Sequence, residues 1–244
     1  MSQQKSSVRL LLKHLGNCFS KELGISLEKT KSQEIFKWFL ASILFGARIS
    51  ETIVVNTYKE FERRKVLTPQ KILKTGWDGL VEILDAGGYV RYDFKTATKL
   101  LEIMKALIGQ YNGNLNLLHS FAKNSSDLEI KLRKLGKGIG EVTVNIFLRE
   151  LRGIWEKAKP LPQELAITAA RNLGLTHQRE PSKILEDLEE EVWKKTKIPG
   201  KTFIDFETSL VRLGKDYCRK KRCDVCKLSE WCRNSRYASL TLDK

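Results

Sequence analysis

The chain has 244 residues, with 44 Lys or Arg against 29 Asp or Glu, so its net charge is +15 at neutral pH. That length is enough for one large domain or two smaller ones, each with a hydrophobic core. A basic excess of this size favours a polyanionic partner, most often nucleic acid, over a surface that serves solubility alone. No stretch of about 20 apolar residues occurs, so no membrane-spanning segment is expected.

The segment before Gly16 contains an apolar stretch, but Lys13 and His14 interrupt it and it is too short for a signal peptide. We therefore expect a cytoplasmic protein, associated with the nucleoid in a prokaryotic cell, and a monomer. Disulfides are uncommon in that compartment, so clustered cysteines there are more often metal ligands.

Apolar residues recur at helical spacing along nearly the whole chain. Thr30 with Gln33 predicts a capping box ahead of a strongly apolar, buried helix. Thr68 followed by Pro69 predicts another helix start, and Gly76 predicts the end of that helix. The alternating pattern of strands is missing, so the predicted fold class is all-α. The predicted helices cover residues 8–15, 34–45, 50–64, 69–76, 78–85, 94–111, 126–135, 162–173, 182–196 and 202–213.

The stretch RKLGKGIGEVTVNIFL, from Arg133 to Leu148, has Gly136, Gly138 and Gly140 at every second position before an apolar run. A G-x-G turn between helices permits positive φ and exposes several N–H groups together. Such groups, with the start of the next helix, bind phosphate, whereas an ordinary tight helix–helix turn is the alternative. The predicted DNA contacts are Lys137, Gly138, Ile139 and Gly140, and the residues predicted to hold the next helix against the core are Val142, Val144, Ile146 and Phe147.

The segment GKGIGEVTVNIF resembles the helix-hairpin-helix of the DNA glycosylase superfamily related to endonuclease III, whose pattern is roughly L-P-G-V-G-x-K-T-A. FLASILFGARISETIV resembles the buried helix of that family and the turn after it, which enters the DNA stack. GGYVRYDFKTATKLLEI resembles its G-x-x-x-x-K-A segment. The resemblance covers most of the chain, from about Glu34 to Cys232.

The resemblance implies an all-α fold of two helical lobes, with bent duplex DNA in the groove between them and a damaged base flipped out of the helix. Residues 29–154 are expected to form one lobe, a helical barrel that ends in the hairpin. Residues 1–28 and 155–244 are expected to form the second lobe. The resemblance also implies a monovalent cation on the carbonyl groups of the hairpin.

Four cysteines lie in the segment CRKKRCDVCKLSEWC, with the spacing C-x4-C-x2-C-x5-C. Four thiolates this close in sequence can bind one tetrahedral zinc ion or one iron–sulfur cluster. The endonuclease III family has C-x6-C-x2-C-x5-C around a [4Fe–4S] cluster, and the preceding helix LVRLGKDYC also resembles the family. The resemblance therefore favours [4Fe–4S], with zinc as the alternative. The predicted ligands are Cys218, Cys223, Cys226 and Cys232, and the distant Cys18 is predicted to be a buried apolar residue.

A metal centre in this segment would order its basic residues, so Lys220, Lys221 and Arg222 are predicted to face DNA phosphates. Arg48, in FGARIS, matches the family position that fills the space left by a flipped base, where an arginine can stack and donate. A salt bridge from Arg48 to Glu51 is the alternative.

Aromatic and basic residues elsewhere are further candidates for DNA contact. Tyr92 and Tyr89 could line a base pocket because aromatic faces stack on bases, with packing between helices as the alternative. Arg149 and Arg152 share one face of a helix and could reach DNA or pair with neighbouring glutamates.

Glycosidic cleavage passes through an oxocarbenium-like state that a nearby carboxylate stabilises. The resemblance places Val142 where bifunctional members have a Schiff-base lysine, so a lyase that uses this position is excluded. It places Gln163 where the family has its aspartate, and Glu164 beside it is the predicted catalytic carboxylate. Glu141 and Asp205 are further candidates. For each acid the alternative is structural, as with Glu164 favouring the helix dipole.

The sequence thus predicts a DNA base-excision repair protein that flips a damaged base and cleaves its glycosidic bond as a monofunctional N-glycosylase. Val142 and Gln163 favour a second hypothesis, a non-catalytic protein that recognises damaged or distorted DNA. An RNA partner is a third, because phosphate contacts by a hairpin do not by themselves select the sugar.

Overall fold

The computed structural model describes residues 3–234. Within that range the secondary structure consists of helices, and no β-strand is present. Residues 1–2 and 235–244 of the predicted second lobe lie outside the described residues. The described chain forms two compact units. One is Ser20–Pro160, and the other joins the chain up to Phe19 to the chain from Leu161 onward. The expected lobe of residues 29–154 differs from the unit Ser20–Pro160 by nine residues at its start and six at its end, and the two-lobed glycosylase fold stays a prediction.

The unit Ser20–Pro160 contains most of the helices and a core of large side chains. Trp38 is fully buried, and its indole N–H donates to the Phe147 carbonyl at 3.0 Å. The Phe39 and Phe147 rings meet edge to face with centroids 5.1 Å apart. The helices are α3 (Ser32–Phe45), α4 (Glu51–Arg63), α5 (Pro69–Ala86), α6 (Asp93–Tyr111), α7 (Leu115–Phe121), α8 (Ser125–Arg133) and α9 (Glu141–Glu150), after α2 (Phe19–Glu22), which crosses the boundary.

Local sequence signals determine where several of these helices begin and end. The side chains of Ser50 and Thr68 cap α4 and α5 by accepting from backbone N–H groups in the first turn. Gly76 has φ +71° and interrupts α5, as predicted. The capping box predicted from Thr30 and Gln33 is wrong. Lys31 is the N-cap of α3 without a side-chain hydrogen bond, and Thr30 has a φ of 47°.

The other unit comprises α1 (Gln3–Leu15), α10 (Glu164–Asn172), α11 (Pro181–Glu186), α12 (Lys194–Thr196) and α13 (Phe203–Leu213). A π-helical segment, Asp187–Trp193, joins α11 to α12, and another, Gly214–Cys218, extends α13. Phe206 of α13 is fully buried and stacks on Trp193 with centroids 5.7 Å apart. Gly214 packs tightly on α10, because a Cβ there would lie 2.0 Å from the Leu165 carbonyl oxygen.

Asp205 has a structural role at the start of α13. Its Oδ2 accepts from the Thr202 N–H at 2.8 Å, and the Thr202 hydroxyl accepts from the Asp205 N–H at 3.3 Å, which completes a capping box. The buried Cys18 thiol donates to Oδ1 at 3.1 Å. Asp205 is only 1% exposed, so the structural alternative to a catalytic role applies to it.

We expect Asp205→Ala to lower the free energy of unfolding by about 1–3 kcal/mol, because it removes a cap and leaves buried donors without an acceptor. The measurement is urea unfolding followed by circular dichroism. Asp127→Ala is the matched control, because Asp127 occupies a similar cap with Asn124 but is only half-buried. Equal losses for the two variants would contradict the buried role of Asp205.

Candidate nucleic-acid interface and thiol cavity

The glycine stretch forms the loop between α8 and α9, as the sequence predicted for a turn between two helices. Lys137, Gly138 and Gly140 are exposed, whereas the Ile139 side chain is 4% exposed and anchors the loop in the core. Ile139 can therefore offer a ligand its main chain but not its side chain. Val142 is 55% exposed, so its predicted role in holding α9 against the core is wrong.

The three glycines of the loop lie in three different structural environments. Gly136 packs against α6, where a Cβ would lie 2.7 Å from Ile103 Cγ1. Gly138 has φ +91°, a region that L side chains rarely adopt. Gly140 has an ordinary φ of −90°, and a Cβ there would meet nothing within 4 Å. Only Gly140 is therefore free of both backbone strain and crowding, and the space in front of it is open to a ligand.

The loop presents backbone donors beside basic side chains. Gly140 is the N-cap of α9, whose first N–H groups have no carbonyl partner within the helix. Within residues 3–234 the N–H groups of Gly138 and Gly140 form no backbone hydrogen bond. Glu141 is highly exposed and contacts Arg133 at 3.5 Å. The arrangement suits an anion, because N–H groups at a helix start carry partial positive charge.

Arg48 lies in the loop between α3 and α4, and its side chain is exposed. The alternative salt bridge with Glu51 is not among the ion pairs of the described residues. Tyr92 is half-buried at the start of α6, with the Arg91 guanidinium 5.5 Å from its ring centroid. Tyr89 is fully buried and donates to the Leu44 carbonyl at 2.7 Å, so it packs between helices and does not line an open pocket.

The two arginines on α9 and just after it are also held by the protein. Arg149 is 1% exposed, so of the two alternatives for this residue its side chain does not reach DNA. Arg152 donates from Nη2 to the Pro160 carbonyl at 2.7 Å. Helical spacing alone could not decide this, because both faces of α9 are covered near its C-terminal end.

The four clustered cysteines, Cys218, Cys223, Cys226 and Cys232, line one cavity of about 560 Å³ next to the end of α13. Apolar side chains, among them Leu173, Leu213 and Leu228, form part of its wall. Burial raises the pKa of the Cys218 thiol, and the three neighbouring thiols raise it further. Within residues 3–234 no three His, Cys, Asp or Glu side chains are placed to hold one metal ion, so the thiols surround a space rather than converge on a point.

Backbone hydrogen bonds shape the segment between the cysteines. Arg219 N–H donates to the Gly214 carbonyl at 2.9 Å, and Arg222 N–H donates to the Tyr217 carbonyl at 3.0 Å. Lys221 has a positive φ of 53°. Lys220, Lys221 and Arg222 are all exposed, although Lys220 also contacts Asp216 at 3.4 Å.

The predicted catalytic carboxylate lies at the start of α10. Gln163 is the N-cap of this helix, and Glu164 is its exposed first residue. Within residues 3–234 the Glu164 carboxylate accepts one long hydrogen bond, at 3.4 Å from the hydroxyl of Thr168, one turn further along. Glu164 is therefore accessible, as is Glu141 beside Arg133, whereas Asp205 is buried in its cap.

An exposed aromatic pair was not assigned from the sequence. Trp77 and Phe94 are 39% and 59% exposed, with ring centroids 5.2 Å apart. The indole N–H donates to the Thr98 hydroxyl at 3.0 Å, which fixes the ring. The signal that could have found this pair is a tryptophan directly after Gly76, where α5 is interrupted.

No helix in the described range is long and apolar enough to cross a membrane. A scan against models of protein families finds none that matches this chain, and a search of curated proteins finds no match.

Proposed function

We propose that this protein binds duplex DNA through the loop between α8 and α9 and acts on a flipped, damaged base as a monofunctional DNA glycosylase of the endonuclease III type. The observation that carries the proposal is the loop itself. It combines unpaired N–H groups at Gly138 and Gly140 with an open approach in front of Gly140. Lys137 adds an exposed cation beside them.

The charge of the chain supports a nucleic-acid partner. The excess of 44 basic over 29 acidic residues remains after the surface ion pairs are formed. Basic side chains release counterions from DNA when they bind its phosphates, so the affinity falls as salt rises. Arg48 in its exposed loop is suited to enter the stack where a base has left, because its guanidinium can stack and donate.

The thiol cavity supports a [4Fe–4S] cluster held by Cys218, Cys223, Cys226 and Cys232. Soft thiol donors, spaced around a half-buried cavity with apolar walls, are the donor set that such a cluster uses. The group would order the segment that carries Lys220, Lys221 and Arg222. Zinc is the alternative metal for the same four thiol ligands.

Glu164 is the proposed carboxylate for hydrolysis, since it is exposed at the start of α10 next to Gln163. An amide at position 163 cannot carry negative charge or take up a proton from water. Val142 likewise lacks the amine of a Schiff-base lyase. These two residues favour the second candidate function, a protein that binds damaged DNA on the same fold without cleaving it.

The experiment is a single-turnover assay on duplexes that each carry one deaminated, oxidised, alkylated or abasic site, with and without alkali afterwards. We expect strand breaks only after alkali on at least one base lesion, and we expect Glu164→Gln to slow that reaction by at least about 100-fold, the lower end of what a general base contributes. Breaks without alkali would contradict the monofunctional assignment. Tight binding to one duplex without cleavage would favour the non-catalytic function.

A further inference from the structure

Lys99 lies in α6 with the end of its side chain against the loop that joins α8 to α9. A Cβ placed on Gly138 would be 3.2 Å from Lys99 Cδ, 3.3 Å from Cε and 3.6 Å from Nζ. The methylene stem therefore runs alongside the one residue of the loop that has a positive φ. This brings a side-chain ammonium from a different helix next to the exposed N–H groups of the loop.

The ammonium of Lys99 is partly removed from water without a compensating anion. Within residues 3–234 it takes part in no hydrogen bond or ion pair, whereas other lysines of the chain do, such as Lys194 with Glu190 at 2.6 Å. Burial and, to a lesser extent, the neighbouring Lys95 ammonium lower the pKa of Lys99 to about 8. A desolvated cation without a partner destabilises a fold, so its presence needs a reason outside the fold.

The surroundings of Lys99 add positive charge rather than negative. Lys95 lies one turn earlier on α6, and Lys137 belongs to the loop. The acid nearest in sequence to the loop, Glu141, contacts Arg133. An anion that enters here would meet cations and N–H donors together, and both are stronger partners for a charged acceptor than for a neutral one.

We infer that Lys99 is a phosphate-binding residue, whose ammonium and the N–H groups of the loop at Gly138 and Gly140 together hold one backbone phosphate of the duplex. The inference rests on the proposed function, because it names which side chain completes the site of the loop. The unpaired Lys99 ammonium then lowers the stability of the free protein and raises its affinity for DNA, since the bound phosphate supplies the negative charge that the fold lacks.

The test compares Lys99→Met with Lys105→Met. Methionine keeps most of the packed stem and removes the charge, and Lys105 is an exposed lysine on the same helix. The two measurements are the affinity for a fluorescent duplex at several salt concentrations and the melting temperature without DNA. Lys99→Arg is the conservative variant.

Lys99→Met is expected to weaken binding roughly tenfold and to make the slope of log affinity against log salt shallower by about 0.9, the value of one phosphate contact. Its melting temperature is expected to rise or stay level, because the unpaired charge is gone. Lys105→Met should change neither property to that extent, and Lys99→Arg should keep the affinity.

Affinity of Lys99→Met equal to that of Lys105→Met would overturn the inference, and so would a loss of affinity accompanied by a lower melting temperature. If the wild-type protein does not bind any duplex at low salt, the proposed function fails instead. In that case inorganic phosphate is the probe. Stabilisation of the wild type by phosphate that is lost in Lys99→Met would still support an anion site at Lys99, and equal stabilisation of both would refute it.

Discussion

Replacing Cys226 with serine is expected to reduce the visible absorbance of the purified protein to background. Cys226 lines the thiol cavity with Cys218, Cys223 and Cys232, and its own side chain is half-buried there. A serine hydroxyl is a hard, weak ligand that does not replace a thiolate on iron. Because the proposed [4Fe–4S] cluster would order the segment from Cys218 to Cys232, we also expect the variant to be less stable. Protease should cleave this segment faster than in the wild type.

The matched control for this variant is Cys18→Ser. Cys18 is buried in the same unit, but its thiol donates to Asp205 and it does not line the cavity. Its absorbance should equal that of the wild type. If the wild-type protein is colourless and contains one zinc ion per chain, and Cys226→Ser loses that zinc, the metal at these cysteines is zinc and not an iron–sulfur cluster. A wild type without any bound metal would contradict a metal centre at these cysteines.

Replacing Gly140 with valine is expected to weaken duplex binding by about 1.5–3 kcal/mol, or roughly 10- to 100-fold, the worth of hydrogen bonds to a charged group. The side chain would stand in the open space in front of the loop, where the phosphate backbone must approach. The fold should tolerate the change to within about 1 kcal/mol, because φ is −90° and only a mild loss of N-cap preference is involved.

The binding of wild type and variant is measured by fluorescence anisotropy over a range of salt, together with the melting temperature of each. Gly109→Val is the control, since a Cβ at Gly109 on α6 also meets nothing within 4 Å. It should bind DNA like the wild type. Undiminished binding by Gly140→Val would show that the loop is only a helix–helix turn, and a wild-type affinity independent of salt would remove the electrostatic part of the proposal.

Gly138 is a poorer site for such a test, although the sequence offers both glycines equally. At φ +91° any side chain adds backbone strain, and its Cβ would also crowd the stem of Lys99. A loss of binding in Gly138→Val would therefore mix altered folding with blocked approach. The same pattern of alternating glycines thus contains one residue needed for packing, one for conformation and one with open space.

Most of the secondary structure could be predicted from the sequence because its signals are local. Ser50 and Thr68 cap their helices with their own side chains, and Gly76 interrupts α5 by its own positive φ. The continuous apolar run of α3 predicted a buried helix, and nearly all of its residues from Ile35 to Leu44 are buried. Thr30 failed as a capping residue because its backbone takes a left-handed conformation that leaves Lys31 to begin the helix.

The candidate site depended far more on tertiary structure. Helical spacing placed Arg149 and Asp205 only on a helix face, and neighbouring elements then buried both. Nothing in the sequence around Lys99 distinguishes it from Lys95 or Lys105. It becomes distinct only because α6 packs beside the loop and brings its stem against Gly138.

The sequence by itself determined that the chain is helical and strongly basic, where several of its helices begin or end, and which four cysteines are close enough to act together. These properties depend on residues within a few positions of one another. Only the tertiary structure decided that the four thiols line one cavity, that Gly140 faces open space and that Lys99 lies unpaired beside the loop. Burial and side-chain pairing arise between residues distant in the chain, and no local pattern encodes them.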